Sequence, residues 1–191
     1  EYNSPSEEEI RRAQAGVGSD KIIFHNKDNV VELSSSGVKL DLGAIAKGYA
    51  VDCAVKRLRE KGIKSCLINA GGDIYCLGTK FNQPWKIAIQ DPRAAGFSGS
   101  LEIQDKAVAT SGDYRQYFIK DKKRLCHILD PRTAYPADSG IASVTVIAFD
   151  CLTADALATA IFVLGKDRGE ELAKEFPGVE VRVIEKNSGN G

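Results

Sequence analysis

The sequence predicts a single α+β domain, mostly antiparallel sheet with packed helices, and three observations lead to that class. Runs of alternating apolar and polar residues, typical of strands, follow one another in groups. Helical patterns are few and do not alternate strictly with the strands, which favours α+β over a doubly wound fold. No internal repeat, linker or low-complexity segment divides the 191 residues, which are enough for one hydrophobic core.

The helical segments carry start and stop signals. The first, SEEEIRRAQAGVG, opens with a capping box in which Ser6 and Glu9 satisfy the free groups of the helix start. The longest, AIAKGYAVDCAVKRLREKG, is closed by Gly62. LTADALATAIFVLG is predicted to be capped by Thr153 and to end at Gly165, and RGEELAKEF forms a last short helix.

The strands are predicted from alternation and from the turns between them. KIIFH, VVELSS and VKLDL are expected to form a meander, and DIYCLGTK with WKIAIQDP a hairpin. The other predicted strands are SCLINA, LEIQDKAVATSGDY, RQYFIKDKKRLCHILDP, ASVTVIA and VEVRVIE. The final residues 186–191, KNSGNG, are expected to fray.

Composition and charge exclude several classes of protein. The 26 basic and 26 acidic side chains cancel, so no basic excess indicates a nucleic-acid partner. The five cysteines form no CxxC pair, which argues against zinc; they are interpreted as structural free thiols, a weak indication of a reducing compartment. The chain contains no methionine, so we expect it to be processed or cut from a longer protein.

Polar residues beside glycine turns are the candidate site. Four segments share this pattern: LDLGAIAKG, INAGGD, ATSGDY and HILDPRTAYP. Polar groups that follow strand ends lie on rims, where sites are usually built. One glycine turn carries little information, but four of them, each with Asp, Lys, Ser or His, are harder to explain by packing alone.

The segment LDLGAIAKG has the design of an anion site. A helix start offers free N–H groups, small residues let an anion approach the backbone, and Lys47 adds a full charge. The alternative is that Gly43, Ala44 and Ala46 only permit tight helix–sheet packing while Lys47 is solvated. The spacing matches neither a Walker loop nor a GxGxxG motif.

The segment TADALATAIF offers ligands for a hard cation. Asp155 and Thr159 are four residues apart and share one helix face. A carboxylate and a hydroxyl are oxygen ligands suited to Mg²⁺. The alternative is that Asp155 favours the helix dipole and Thr159 faces solvent or a neighbouring carbonyl.

Two further segments offer candidates for catalysis or ligand contact. His127 follows a predicted strand and suits proton transfer near neutral pH, with a hydrogen-bonded structural histidine as the alternative. Ser111, Gly112 and Asp113 are interpreted as a turn that contacts a ligand, because GxSxG is absent. Trp85, among alternating isoleucines, is assigned to the core.

Taken in order, LDLGAIAKGYAVD, INAGGDIYCLG, ATSGDYRQYF with HILDPRTAYPA, and TADALATAIFVLG resemble the FAD:protein FMN transferases, the ApbE-type flavin transferases of bacteria. The resemblance runs from about residue 5 to residue 185 and implies one flavin-transferase-like domain over residues 1–191. It implies an enzyme that binds FAD and Mg²⁺ (or Mn²⁺), attaches FMN to a Thr or Ser hydroxyl of a partner protein and releases AMP. The partner would be a subunit of a membrane redox complex.

The resemblance also assigns roles to residues. Asp155, Thr159 and the carbonyl of Ala44 would hold the metal; His127 would be the general base or positioner, with Lys47 and Asp155 also catalytic. The FAD site would comprise Gly43, Ala44, Lys47, Gly72, Asp73, Ser111, Gly112, Asp113, His127 and Thr133.

Two alternatives to protein flavinylation stay open: a Mg²⁺-dependent FAD pyrophosphatase that gives FMN and AMP, and a non-catalytic flavin-binding fragment. Family members carry a further segment before the first helix, and its absence favours the fragment. The resemblance implies the periplasmic side of the cell envelope, with the cytoplasm as the alternative. The family usually has glycine where Ala134 stands. If that position requires a positive φ, alanine costs on the order of 1 kcal/mol.

Overall fold

The computed structural model describes residues 5–120 and 123–186, and these group into two compact units. The smaller unit comprises Glu1–Asp41 and Leu129–Pro136, and the larger comprises Leu42–Ile128 and Ala137–Gly191. The α+β class with antiparallel sheet is confirmed. The single domain over 1–191 stays a prediction, and the frayed tail lies outside the described residues except for Lys186.

The described chain contains the following helices and strands, each class numbered in chain order. The helices are α1 (Glu7–Gln14), α2 (Ala46–Glu60), α3 (Cys151–Leu164) and α4 (Lys166–Lys174), with a 3-10 turn at Ser19–Lys21. The strands are β1 (Ile22–His25), β2 (Val30–Leu33), β3 (Cys66–Ala70), β4 (Asp73–Leu77), β5 (Trp85–Gln90), β6 (Phe97–Ile103), β7 (Lys106–Gly112), β8 (Tyr117–Lys120), β9 (Lys123–Cys126), β10 (Leu129–Asp130), β11 (Tyr135–Pro136), β12 (Ile141–Ala148) and β13 (Glu180–Glu185).

A five-stranded antiparallel sheet organises the larger unit. Its strand order is β13-β12-β7-β4-β3, and β12 is buried along its whole length. Helices α2 and α3 pack on one face, where Val51 and Phe162 join Val144 and Val146 in the main core. A smaller core on Cys76 and Val108 includes Ile87 and Ile103 of the β5–β6 hairpin. The sheet is therefore covered on both faces, and its strand ends are the places left for polar chemistry.

The structure corrects two of the strand predictions. Strand β4 pairs with β3 on one edge and with β7 on the other, so it forms no hairpin with β5, which pairs with β6. The segment VKLDL, residues 38–42, is not a strand. Alternation makes a strand only where a neighbour supplies backbone hydrogen bonds, and no strand of the described chain pairs with these residues. Two of its apolar side chains, Leu40 and Leu42, are exposed.

The cap of α3 is also different from the one predicted. Asp150 accepts a hydrogen bond from the N–H of Thr153 at 2.7 Å, so Asp150 and not Thr153 is the N-cap. Asp150 has the extended backbone that a cap requires, whereas Thr153 already lies inside the helix. Gly165 ends α3 with a φ of 87°, as predicted.

The smaller unit confirms the first helix start. Ser6 Oγ accepts from the N–H of Glu9 at 3.3 Å, and the Glu9 carboxylate accepts from the N–H of Ser6 at 2.7 Å. Strands β1 and β2 form one antiparallel pair and β10 and β11 another. Among the described residues, no helix is long and apolar enough to cross a membrane.

Ala134 occupies a left-handed position, with a φ of 63°. Its N–H donates to the carbonyl of Asp130 at 2.7 Å and so closes the turn between β10 and β11. A Cβ is unfavourable at this φ, and glycine adopts it readily. The backbone therefore keeps the turn that glycine would favour, although the residue is alanine.

We predict that Ala134→Gly stabilises the chain, raising the free energy of unfolding by about 1 kcal/mol. Urea unfolding followed by circular dichroism measures this change. Ala15→Gly is the matched control, because Ala15 has a φ of −60° and glycine there should destabilise. A loss of stability in Ala134→Gly would show that the turn does not strain alanine.

Candidate functional site

Lys47, in the first turn of α2, lies between two buried carboxylates. Its Nζ is 3.0 Å from Oδ2 of Asp73, at the start of β4, and 3.2 Å from Oδ1 of Asp155, on α3. Both aspartates are only 3% exposed, whereas 45% of the Lys47 side chain is accessible. The sequence did not indicate these partners, which make Lys47 a counter-charge within a small acidic cluster.

The cluster is held together by close contact between α2 and α3. The N–H of Gly48 donates to Oδ2 of Asp155 at 3.1 Å. A Cβ on Gly48 would lie 2.4 Å from the carbonyl oxygen of Cys151, so no larger residue fits there without displacing backbone. In return, Asp52 of α2 accepts from the N–H groups of Cys151 and Leu152 at 2.8 and 2.9 Å.

Burial and charge shift the titration of this cluster. Removal from water raises the pKa of Asp73 from 3.8 to about 6, in spite of the nearby Lys47 ammonium. The proximity of Asp155 raises the pKa of Asp73 further. Burial acts to lower the pKa of Lys47, but its pairing with Asp73 and Asp155 outweighs burial and raises that pKa.

The residues present fit a hard divalent cation. Oδ2 of Asp73 is buried and makes no hydrogen bond of good geometry to any described residue, although Lys47 Nζ lies 3.0 Å away. With both aspartates ionised, two negative charges face one positive charge. The described chain has no group of three or more His, Cys, Asp or Glu side chains placed to hold a metal. A cation here would therefore also need a hydroxyl or carbonyl ligand, such as the predicted Thr159 and Ala44.

The residues of the ATSGDY segment divide between two sets of contacts. Ser111 Oγ lies 3.1 Å from Oγ1 of Thr159, so these two predicted residues meet. Asp113 is buried instead in an ion pair with Arg93, at 2.7 Å on both oxygens, with Arg124 and Lys186 each at 3.9 Å. Gly112 ends β7 where a Cβ would lie 2.5 Å from the Tyr114 ring.

His127 lies exposed just after β9, and its ring orientation is set by one backbone group. Its Nδ1 is 3.1 Å from the carbonyl oxygen of Gln116, which also accepts the N–H of His127 at 3.1 Å. A carbonyl can only accept, so Nδ1 carries the hydrogen. In the neutral ring, Nε2 is then unprotonated and able to accept a proton.

The other predicted residues lie in turns. Gly43 and Ala44 form the turn before α2, and Gly72 precedes Asp73 with a φ of 103°. Thr133 belongs to the smaller unit, where its Oγ1 accepts from the N–H of Tyr135 at 3.2 Å. The contacts thus join Lys47 with Asp73 and Asp155, and Ser111 with Thr159; for the remaining residues the FAD site stays a prediction.

Sequence reasoning missed three residues that shape the site. Asp52 reads as an ordinary polar residue of a helix, Arg93 as part of a loop, and Arg115 as one basic residue in a charged stretch. Each acts on backbone or carboxylate groups that are distant in sequence. The only local signal was the glycine at positions 48 and 72, where a small residue permits the contact.

Comparison with known proteins gives consistent results. The model of the ApbE family matches residues 1–183. The FAD:protein FMN transferase of Treponema pallidum is 40% identical over 167 residues, covering 82% of this chain and 46% of that protein. The same-named protein of Klebsiella pneumoniae is 37% identical over 188 residues, covering 97% of this chain and 58% of that protein.

Solved structures agree with the sequence comparison. The ApbE protein of Thermotoga maritima matches with a TM-score of 0.86 and 42% identity, over 96% of this chain and 60% of that one. The flavin transferase ApbE of Vibrio cholerae matches with a TM-score of 0.86 and 33% identity, over 98% of this chain and 60% of that one. The chain spans about half the length of the curated relatives it matches.

We predict that Asp73→Asn changes how stability depends on pH. Because the folded-state pKa of Asp73 lies above its unfolded value, its stabilising contribution is complete below about pH 4 and is lost as the pH rises through about 6. Relative to the variant, wild type should therefore lose up to about 3 kcal/mol between about pH 4 and 7. Urea unfolding at several pH values measures the difference.

Asp138→Asn is the control of opposite sign. A hydrogen bond from Lys186 lowers the pKa of Asp138, so its contribution is present at neutral pH and is lost as the pH falls through the folded-state pKa. A difference between wild type and Asp73→Asn that stays flat with pH would contradict the burial argument for Asp73.

Proposed function

The chain belongs to the ApbE family, and we propose that it transfers FMN from FAD to a Thr or Ser hydroxyl of an acceptor protein and releases AMP. The observation that carries the proposal is the pair of buried carboxylates, Asp73 and Asp155, that both contact Lys47 in the first turn of α2. A diphosphate carries several negative charges and needs cations around it. A carboxylate pair with one lysine supplies a place for a divalent ion and one fixed positive charge.

In this proposal, Asp155, Thr159 and the carbonyl of Ala44 hold Mg²⁺ or Mn²⁺, with Asp73 beside them. When bound, the ion supplies charge stabilisation at the phosphate oxygens. Nearly half of the Lys47 side chain is accessible, so its ammonium can pair with a diphosphate oxygen from the solvent side. The N–H of Gly48 keeps Asp155 oriented.

His127 takes the proton of the acceptor hydroxyl. Its Nδ1–H donates to Gln116, which leaves Nε2 as the free base. The hydroxyl oxygen bonds to the phosphorus of the FMN half as the bond from that phosphorus to the bridging oxygen breaks. AMP leaves with the bridging oxygen, and the hydroxyl proton passes to Nε2.

We propose as acceptor a subunit of a membrane redox complex and as location the periplasmic side of the cell envelope, both supported by the family resemblance. The activity itself is tested by incubating the chain with FAD, MgCl₂ and an acceptor protein that bears a threonine site. AMP is measured by chromatography and flavin on the acceptor by mass spectrometry. Labelled acceptor together with AMP supports transfer, and AMP without labelled acceptor supports the pyrophosphatase. If neither AMP nor labelled acceptor forms, both activities are contradicted.

We predict that Asp155→Asn lowers metal-dependent AMP release by on the order of 100-fold or more, because the amide removes the charge that holds the cation. A second readout needs no turnover: Mg²⁺ should raise the thermal midpoint of wild type and not that of the variant.

Asp167→Asn is the matched control, because Asp167 is an exposed acid in the first turn of α4. It should keep both the activity and the response to Mg²⁺. An Asp155→Asn protein that responds to Mg²⁺ as wild type does would remove Asp155 from the metal site.

A further inference from the structure

The loop of residues 113–116, between β7 and β8, contacts two separate parts of the site. Arg115 Nη1 donates to the carbonyl oxygen of Gly71 at 2.5 Å. One residue later, the carbonyl of Gln116 accepts both the N–H and the Nδ1–H of His127. The start of the loop is fixed by the ion pair of Asp113 with Arg93. A short segment therefore links the turn before Asp73 to the ring of His127.

The turn of residues 71–72 is shaped around the Arg115 guanidinium. A Cβ on Gly72 would lie 2.3 Å from Nη1 and 2.8 Å from Cζ of Arg115, so the guanidinium occupies the space of a side chain at position 72. The N–H of Gly72 is held by Oδ1 of Asn69 at 2.8 Å. Asp73 follows directly in the chain, so the contact with Arg115 also helps to fix the backbone from which the Asp73 side chain extends.

We propose that Arg115 is a positioning residue that ties the 113–116 loop to the 71–72 turn and thereby holds Gln116 where it fixes the tautomer of His127. This inference rests on the proposed function, in which Nε2 of His127 takes the acceptor proton. Arg115 does not take part in bond making. It keeps His127 in the tautomer that leaves Nε2 unprotonated. It also fixes the 113–116 loop relative to the turn before Asp73.

The physical reason lies in the single hydrogen bond at Nδ1. A neutral histidine has two tautomers, and the partner of one ring nitrogen decides which is present. Tyr114 and Arg115 lie outside any helix or strand. The N–H of His127 also holds the Gln116 carbonyl, next to the first residue pair of the β8–β9 hairpin, so that carbonyl stays near the ring. Without the Arg115 contact, the loop before Gln116 can rotate and turn this carbonyl away from Nδ1. Both tautomers then become accessible, and only one of them presents a base at Nε2.

Nitrogen NMR of the histidine rings tests this inference without catalysis. The chain has two histidines, and His25→Gln, which replaces an exposed residue of the smaller unit, leaves His127 as the only ring. At a pH where the ring is neutral, the wild-type loop should give one tautomer, protonated at Nδ1. In the same background, Arg115→Ala should give a mixture of both, and Arg115→Lys an intermediate result, since lysine donates without the planar fork.

Arg57→Ala is the matched control, because Arg57 is an exposed arginine of α2 that pairs with Glu60 at 3.0 Å. It should leave the His127 spectrum unchanged. Two outcomes would overturn the inference: an Nε2-protonated ring in wild type, or a single Nδ1-protonated tautomer that persists in Arg115→Ala.

Kinetics of AMP release form the second arm. Arg115→Ala should lower kcat by on the order of 10-fold to 100-fold, the effect of a misplaced catalytic group, with little change in KM for FAD. A raised KM with unchanged kcat would overturn the positioning role, because Arg115 would then act in FAD binding. If wild type released no AMP, the proposed function would fail, and the NMR comparison would still decide whether Arg115 fixes His127.

Discussion

Two aspartates on neighbouring helices each bind the first turn of the other helix. Asp52 of α2 accepts two N–H groups at the start of α3, and Asp155 of α3 accepts Gly48 N–H and Lys47 Nζ at the start of α2. Both helix starts have free donors and a partial positive charge, so each carboxylate is stabilised where it lies. The exchange is possible only because residue 48 has no side chain. The sheet supports both helices, but this exchange sets their alignment.

The same alignment accounts for the chemistry of the site. With α2 and α3 in this register, Lys47 and Asp155 meet at the end of the sheet where β4 begins with Asp73. Oδ2 of Asp73 is then buried without a hydrogen bond of good geometry to any described residue, which is unfavourable for a group that serves only the fold. Local rules of packing are broken at functional sites more often than elsewhere. The acidic cluster is therefore the part of the larger unit that folding alone explains least.

The parts of the fold that the sequence predicted are those that depend on local signals. The capping box at Ser6, the stop at Gly62 and the strands of the central sheet follow from residues close together in the chain. The failures concern distant partners. Alternation in DIYCLGTK and WKIAIQDP was correct, but no local signal says that β4 lies between β3 and β7. Strand identity can be predicted from a period of two, whereas strand pairing depends on the whole sheet.

The site shows the same division. Lys47 is indicated by the small residues around it at a helix start, and Asp155 and Thr159 by their spacing on one helix face. His127 is indicated by its place after a predicted strand. The partners that orient them could not be predicted: Asp52 binds backbone N–H groups, Arg115 binds a backbone carbonyl, and Gln116 acts through its own carbonyl. Every residue has a backbone carbonyl and nearly every residue a backbone N–H, so the sequence does not show which of these groups makes a contact. In the candidate site the sequence indicates the polar side chains, and their orientation depends on main-chain contacts that become visible only in the structure.

The larger unit thus has two sets of candidate residues, each supported by its own contacts. The carboxylate side depends on the exchange between α2 and α3, and the His127 side on the 113–116 loop, whose first residue is held by Arg93. The hydrogen bond from Arg115 to the carbonyl of Gly71 joins that loop to the turn before Asp73. A change in the helix exchange would move Lys47 and Asp155 and loosen the core together, because Val51 and Phe162 lie on the same helices. Arg115 makes an exposed contact and belongs to neither hydrophobic core, so on that side we expect the geometry around His127 and the stability of the fold to vary separately.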